Sequence, residues 1–273
     1  MRGILVMANL YASGSTWNTA SNWGTTTGAS DGTIPTSADA VIFDANSIDM
    51  ALDVAGEANS INTTGYTGNF SQEGYALTTV AGFTAAAGAF VGSAGTLTIG
   101  GPLLISGATF TAPSGILSLA DDFDITSGTF LHNNGTIRYV GVGGIVSITQ
   151  NENTFYDFKI NKTGSPVFTV TGALVVENDF TIEESGATLV TINGTRPLAV
   201  DGDVFMGTVP YAGTIDLLMR ETANFTPSPT WTNIGTVIFS DDTYSLDGIF
   251  AIIREDGFNI LREDGFRILR EVT

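Results

Sequence analysis

The chain has 273 residues and a formal net charge of −18 at pH 7, with 10 Lys and Arg against 28 Asp and Glu. Because phosphate neutralisation needs clustered Lys and Arg, this charge argues against nucleic acid and against an anionic membrane surface as partners. The sequence has no Cys and a single His, which excludes disulfides and thiolate metal sites and argues against a His-based zinc site or a Ser-His-Asp triad.

The composition is that of a β protein. Gly is frequent at 33 residues and charged residues are scarce at 14%, and the abundance of Thr, Ser, Ala and Asn favours strands and turns over helices. No run approaches the roughly 18 apolar residues of a membrane-spanning helix. We therefore expect no membrane insertion, no cofactor and no catalytic activity.

The first predicted element is an N-terminal cap, to which we assign residues 1–45. Its opening, MRGILVMANLYASG, has an apolar run that is too short for a signal peptide, so we expect no export signal; either Met1 or Met7 fits as the natural start. The segment also contains Trp17 and Trp23. We expect these two indoles to cover the first layer of the body.

The next part of the chain, residues 70–140, repeats with a period of twenty. Each unit alternates apolar and small polar residues, as half-buried strands do, with Gly, Ser, Asn and Asp at the turns. Five rows of residues keep the spacing: Phe70, Phe90, Phe110 and Phe130; Leu77, Leu97, Leu117 and Ile137; Thr79, Ile99, Leu119 and Tyr139; Phe83, Leu103 and Phe123; Ala85, Ile105 and Ile125.

About three short strands in each twenty residues indicate a right-handed parallel β-helix, a solenoid in which each coil forms one rung. Stacking rungs about 4.8 Å apart would place equivalent side chains in ladders inside the tube. The alternative is a β-sandwich of twenty-residue hairpins, but a sandwich gives no reason for five rows to stay in register. After residue 140 the period loosens while similar motifs continue. We assign the β-helix body to residues 46–248.

The last element, residues 249–273, repeats every eight residues in AIIREDGFNILREDGFRILREVT and holds four of the ten Lys and Arg. Asp256-Gly257 and Asp264-Gly265 are two-residue hairpin signals, which predict a three-stranded antiparallel meander. Ile260 and Leu261 are adjacent and would point to opposite faces, so both faces of this small sheet would be apolar.

We therefore predict that this segment is an oligomerisation or docking element, with its arginines meeting acidic surface on a second copy. The alternative is a hairpin that caps the open end of the solenoid. The residues expected to carry the docking role are Arg254, Phe258, Ile260, Leu261, Arg262, Phe266, Ile268, Leu269 and Arg270.

Several residues suggest chemistry less strongly. A glycosidase needs two carboxyl groups about 5–10 Å apart in a groove, and clustered carboxylates also suggest calcium; in this chain we interpret such carboxylates mainly as solvated turn residues. We interpret His132 as a turn residue, and Trp231 and Tyr244 as core residues more than as a sugar platform. The carboxylate groups are Asp121, Asp122 and Asp124; Asp201 and Asp203; Glu183 and Glu184.

Three parts of the sequence resemble repetitive β-helix proteins of tailed-phage virions and bacterial surface adhesins. These are W-N-x-A-S-N-W with P-T-S-A-D-x-V-x-F-D at 17–44, SINTTGYTGNF at 60–70 and FYDFKINKTG at 155–164. The eight-residue repeat is similar to the ends of many phage virion proteins. The resemblance implies an elongated, exposed, non-enzymatic role.

The resemblance leads us to expect a virion structural protein, either a tail fibre or spike component or a capsid decoration protein, assembled in the host cytoplasm. We expect a homo-oligomer, by analogy a trimer, that contacts other virion proteins and in some cases a host surface glycan. The alternatives are a secreted adhesin or surface-filament protein on the cell exterior and, less favoured, a polysaccharide-degrading spike.

Overall fold

The computed structural model describes residues 8–150, 153–183, 186–220, 225–226, 231–232, 237–239 and 260–262. These ranges consist of strands and turns, with a short 3-10 helix at Ala20–Asn22. Strands pair in parallel with strands one coil away, which confirms the all-β parallel β-helix. The right-handed sense of the coil stays a prediction. The chain divides into two compact units, one up to Tyr139 together with the short stretch 149–153, and one containing the rest.

The first unit contains twelve strands, and β13 Thr136–Val142 and β14 Ile145–Thr149 have residues in both units. The twelve are β1 Asn9–Ala12, β2 Trp23–Gly24, β3 Ala40–Ile42, β4 Met50–Ala51, β5 Gly56–Asn62, β6 Asn69–Ser71, β7 Leu77–Ala85, β8 Ala89–Val91, β9 Leu97–Ile99, β10 Leu103–Thr111, β11 Ile116–Leu119 and β12 Phe123–Leu131.

One coil of the first unit contains three strand segments. From β8 the chain passes through β9 and the first half of β10, and then returns one layer further at Phe110, which pairs with Phe90. All five predicted rows are confirmed by the strand register. A sandwich of hairpins is excluded, because these neighbours are parallel.

Aromatic rings form the centre of the first unit. The rings of Phe90 and Phe110 stack with centroids 4.8 Å apart, and those of Phe110 and Phe130 with centroids 6.2 Å apart. Phe83 meets both Phe90 and Phe110 edge-on, at 5.4 and 5.6 Å. Burial of such a ring contributes about 3–5 kcal/mol, judged by the cost of its truncation to Ala, so this row is a main source of stability.

The N-terminal segment contributes strands to the ladder as well as a cover. Leu10 of β1 pairs with Val41 of β3, and Val41 pairs with Ile61. The stack of strands therefore begins at Asn9 and includes part of the range 1–45 that the sequence assigned to the cap.

The cover itself is built by the two tryptophans. Both are fully buried, and the Trp23 indole N–H donates to the Trp17 carbonyl oxygen at 2.8 Å. The Trp17 ring stacks on Phe70 at 5.7 Å. Gly56 pairs with Leu77 at the start of the leucine row, and a Cβ on Gly56 would lie 3.1 Å from the Trp17 ring. The same Cβ would lie 3.0 Å from the side chains of Leu52 and Leu77, so Trp17 is one of three residues that fill the volume a larger side chain at position 56 would take.

The second unit continues as a solenoid with less regular coils. Its strands are β15 Thr154–Phe155, β16 Asp157–Thr163, β17 Val167–Thr171, β18 Leu174–Val176, β19 Phe180–Ile182, β20 Val190–Gly194, β21 Leu198–Val200, β22 Val204–Phe205, β23 Tyr211–Gly213, β24 Leu217–Met219, β25 Phe225–Thr226, β26 Trp231–Thr232, β27 Val237–Phe239 and β28 Ile260–Arg262. Six of them, β15, β18, β21, β24, β27 and β28, form a separate parallel sheet, which we call sheet B.

Coil length varies in this unit. Paired residues are 22 positions apart at Phe158 and Phe180, 24 at Leu174 and Leu198, and 19 at Leu198 and Leu217. The loosening of the period after residue 140 in the sequence therefore coincides with the start of the second unit.

The strand contributed by the eight-residue repeat is a rung of sheet B. Ile260–Arg262 pairs in parallel with Val237–Phe239. A strand has two edges, and one edge of β28 is taken by β27, so β28 cannot be the centre of an antiparallel meander. That part of the prediction is wrong; the remaining residues of the repeat lie outside the described ranges.

Candidate interaction surface

Outward strand positions carry both polar and apolar side chains, and the apolar ones include Val142 and Ile145, which are 82% and 72% exposed. In strands with the pattern inward-outward-inward, the middle residues Thr98, Ser118 and Thr181 face outward and are half-buried by their neighbours. Small hydroxyl side chains at such positions are compatible with water. These faces therefore need no partner.

Three strands of sheet B have apolar outward residues, whereas the outward residue of β15 is Thr154. The middle residues of β18, β21 and β24 are Val175, Ala199 and Leu218, and they pair with one another in register. The register continues this row through the positions of Ile238 and Leu261. We call Val175, Ala199 and Leu218 the apolar stripe. The inward neighbours in the same strands are also apolar and fully buried, as with Leu174 and Val176.

The amino-acid sequence of these strands also indicates an apolar outward face. The strands read LVV, LAV, LLM, VIF and ILR, whereas a half-solvated strand alternates apolar and polar residues. Parallel strands that are covered on both faces read as continuous apolar runs. The strands β18, β21 and β24 thus have apolar residues on both faces.

A charged row borders the apolar stripe. Glu177, Asp201 and Arg220 follow directly after β18, β21 and β24, and their amide N–H groups continue the backbone ladder of the sheet. The Arg220 guanidinium binds Asp201 with two contacts, Nε to Oδ1 at 2.6 Å and Nη2 to Oδ2 at 3.0 Å. Thr154 Oγ1 donates to Glu177 Oε1 at 2.6 Å. The face has the anatomy of an interface, an apolar centre with a charged rim.

One of the candidate carboxylate pairs, Asp201 and Asp203, also lies in this region. Asp201 is held by Arg220, while the backbone N–H of Asp203 donates to Asp179 Oδ1 at 3.0 Å. Asp179 in turn donates its own N–H to Asp157 Oδ1 at 3.3 Å. The carboxylates of Asp201, Asp179 and Asp157 thus make contacts between successive coils.

The other carboxylates lie in turns or along a shallow groove. Asp122 and Asp124 line an open groove of about 360 Å³ with Asn62, Thr84 and Leu104 among its walls. Asp121 Oδ1 accepts the N–H of Asp122 at 3.0 Å. Across the part of the chain that the structure describes, no group of three or more His, Cys, Asp or Glu is arranged to hold a metal ion.

The remaining candidates have local partners. Glu183 accepts a hydrogen bond from the Asn161 amide, and Glu184 is outside the described ranges. His132 Nδ1 accepts the N–H of Asn134 at 3.0 Å in a turn, as the sequence predicts. Trp231 lies in β26, and Tyr244 is not among the described residues, so the sugar-platform interpretation stays untested.

Shifted pKa values occur at structural positions. Burial raises the pKa of Tyr139, with a smaller contribution from Asp122 and Asp121, and burial raises the pKa of Tyr211. Hydrogen bonds from the backbone N–H and hydroxyl of Thr25 lower the pKa of Asp31 in the N-terminal cover.

The predicted docking residues are only partly described. Ile260, Leu261 and Arg262 form β28, in which Leu261 pairs with Ile238 of β27. The others lie outside the described ranges: Arg254, Phe258, Phe266, Ile268, Leu269 and Arg270.

Comparison with protein-family models, with curated proteins and with solved structures finds no match to this chain. Within the described ranges, the structure contains no helix with the length and apolarity needed to span a membrane.

Proposed function

We propose that the chain is a non-enzymatic structural protein of a tailed-phage virion, exposed on the particle as a tail fibre or spike component or as a capsid decoration protein. In this proposal it assembles in the host cytoplasm, associates with further copies of itself and contacts other virion proteins. Sequence resemblance suggests the virion, and the stacked architecture supports a structural role.

The observation that carries the proposal is the in-register stack of buried side chains. In the first unit, Phe70, Phe90, Phe110 and Phe130 are each at most 4% exposed and lie in consecutive coils. A solenoid of this type transmits load along its axis through every coil, since each coil contacts its neighbours. Its outward side chains are then free for contacts with other molecules.

The environment of the carboxylates supports a structural role over a polysaccharide-degrading one. A retaining or inverting glycosidase keeps one carboxyl as an acid and the other as a nucleophile or base across the sugar. Asp201 is instead bound by Arg220, and Asp179 accepts the backbone N–H of Asp203. Hydrogen bonds between coils occupy these groups.

Immunoelectron microscopy of particles purified from the native source tests the proposal. Antibodies raised against the purified chain are expected to label phage particles at one repeated position, and the position separates head from tail. Antibody that has been absorbed with the purified chain serves as the control. Label confined to filaments on the cell surface would contradict the virion role and favour the adhesin alternative.

A further inference from the structure

Sheet B of the second unit places three apolar outward residues next to one another in register, Val175, Ala199 and Leu218. We propose that the apolar stripe is the surface through which two copies of this chain associate, with their solenoid axes antiparallel. The inference deepens the proposed self-association by naming its surface, and it rests on that part of the proposed function.

Two of the three stripe residues are as accessible as the polar outward positions. Val175 and Leu218 are half-buried, as are Thr98 and Thr181 in the middle of strands with the same inward-outward-inward pattern. Ala199 is 5% exposed because its single methyl group lies between Val175 and Leu218 in the row. The stripe therefore faces away from the core.

An apolar row at these positions needs an explanation beyond folding. The core of the coil is already filled by the inward residues of the same strands, Leu174, Leu198 and Leu217 on one side and Val176, Val200 and Met219 on the other. A hydroxyl at the outward position is tolerated elsewhere in the protein, as at Thr181. Apolar residues in successive strands are the composition of a sheet covered on both faces.

The shape of the stripe fits a second copy placed in the opposite direction. If the two-fold axis runs between β21 and β24, parallel to the strands, Ala199 of one copy faces Leu218 of the other. The small Ala199 side chain of each copy then packs against the large Leu218 side chain of the other copy. Copies aligned in the same direction would set Leu218 against Leu218 and leave a gap between the two Ala199 residues.

The charged residues beside the stripe favour the same antiparallel arrangement of the two copies. With that axis, Asp201 of one copy faces Arg220 of the other, so the two intrachain pairs combine into a square of alternating charge. Arg220 and Asp201 side chains keep 38% and 23% of their surface exposed within one chain, so both remain available. Because the chain carries a net charge of −18, contacts elsewhere between copies are repulsive, and this face offers an apolar and charge-matched exception.

The size of the stripe sets the strength of association. Three strands spaced about 4.8 Å apart give a stripe about 10 Å long. With a width of three residues it covers far less than the roughly 800 Å² per partner of a standard interface. We therefore expect a dimer that depends on protein concentration and on the flanking residues.

Sedimentation velocity of the full chain over a concentration series gives the first test. The wild-type protein is expected to form a dimer, and Leu218→Asp is expected to weaken dimerisation by at least about 100-fold, because the two-fold axis places the lost contact and the new charge at two symmetric points. Thr181→Asp is the matched control, since it places the same charge at an outward mid-strand position of the same unit. It is expected to dimerise like the wild type.

The two parts of the proposal fail differently in this experiment. Wild-type protein that stays monomeric at every concentration would overturn both self-association and the surface. Association that persists unchanged in Leu218→Asp would overturn the surface alone and leave self-association standing. A dimer lost equally in Thr181→Asp would also count against the surface, because the effect would then be one of charge in general.

Single-cysteine variants give a second test that does not depend on an inserted charge. The chain has no Cys, so Leu218→Cys, Val175→Cys and Thr181→Cys each carry one thiol. Packed sheets lie about 10 Å apart, and the antiparallel arrangement adds an offset of about 14 Å between the two Val175 positions but only about 5 Å between the two Leu218 positions. A short bis-maleimide is therefore expected to link Leu218→Cys into a dimer and to leave the other two variants unlinked.

Other outcomes of the cross-linking contradict the proposal. Linking of Val175→Cys as efficiently as Leu218→Cys would indicate copies aligned in the same direction. Leu218→Cys that is protected from a monofunctional maleimide while the protein is monomeric would show that another segment of the same chain covers the stripe.

Discussion

The two units of this protein use the same inward rows with different regularity. In the first unit, successive residues of a row such as Phe90, Phe110 and Phe130 are always twenty positions apart. In the second, partners such as Leu174, Leu198 and Leu217 are separated first by 24 and then by 19 positions. The comparison shows that stacking requires registered inward side chains, while the length of the intervening turns is free to vary. Longer surface turns cost little, because loop-closure entropy rises slowly with length.

The units also differ in their outward residues. Thr98 and Ser118 in the first unit occupy the type of position that Val175 and Leu218 occupy in sheet B. Inward rows build the solenoid in both units, so the outward residues are free to differ according to what each face contacts.

The largest effect is expected at the N-terminal cover, where a large indole is fully buried. Trp17→Ala removes a fully buried indole that stacks on Phe70 and should cost about 3–5 kcal/mol of unfolding free energy. Chemical denaturation followed by Trp fluorescence and circular dichroism measures it.

A second substitution sharpens this prediction. Gly56→Leu alone should destabilise by about 1–3 kcal/mol through overpacking, since its side chain meets the Trp17 ring. Combined with Trp17→Ala it should recover part of the loss, because the leucine extends the row that begins at Leu77. Strictly additive effects of the two changes would contradict the idea that both residues share one volume.

A substitution in the aromatic row tests whether the units behave as separate stacks. Phe110→Ala should destabilise the first unit by about 3–5 kcal/mol, since Phe110 is fully buried against Phe83, Phe90 and Phe130. Hydrogen exchange should then accelerate in β8, β10 and β12 and stay unchanged in β20 and β23. Val91→Ala, on an outward residue that is 39% exposed, is the control and should have a small effect. Equal acceleration in both units would show that they unfold together.

Alkaline pH should destabilise both units through their buried tyrosines. Phenols titrate near pH 10 when unfolded, and burial raises the pKa of Tyr139 and of Tyr211 above that value in the folded protein. The folded state thus keeps protons that the unfolded chain loses, so the contribution is fully present below pH 10 and is lost as the pH rises further. Each tyrosine should remove up to about 1.4 kcal/mol per pH unit.

Phenylalanine variants assign this pH dependence to the units. Tyr139→Phe should flatten the decline measured by hydrogen exchange in the first unit, and Tyr211→Phe the decline in the second. A slope above pH 10 that neither variant changes would mean that other groups control alkaline unfolding.

The smallest effect is expected in the row of Ile99 and Leu119, where the first unit places Thr79. This side chain is 1% exposed and its Oγ1 has no hydrogen-bond partner. Thr79→Val keeps the shape and removes an unsatisfied hydroxyl, so it should stabilise the protein by about 1 kcal/mol. Thermal denaturation measures the change, and Thr78→Val on the outward side of the same strand is the control. A loss of stability at Thr79 would indicate that its hydroxyl is satisfied in solution.

Much of the fold was predictable because the rows within residues 70–140 keep a constant spacing of twenty. The rows at Phe70 and Leu77 could be read directly from a constant spacing of twenty, and each proved to be a ladder. Chain spacing no longer predicts the pairing once turns vary in length, which is why the rungs after residue 140 could not be assigned. The pairing of β1 with β3 was not predicted for a related reason, because residues 13–39 lie between these two strands in the chain.

At the candidate surface, too, the pairing of strands could not be predicted from the sequence. The eight-residue repeat indicated apolar residues on both faces around Leu261, but local hairpin signals at its Asp-Gly pairs favoured a meander. In the structure β28 pairs in parallel with β27 instead. The parallel pairing with β27 occupies a strand edge that an antiparallel hairpin partner would need.

The sequence by itself determined the repeat, the inward rows and the covering role of Trp17 and Trp23, because these depend on spacing and on the size of apolar side chains. The tertiary structure alone decided which outward residues share a face. Val175, Ala199 and Leu218 are separated by unequal lengths of chain, and only the register of sheet B places them in one row. Register is defined only between paired strands, so it cannot be read from the sequence of a single strand.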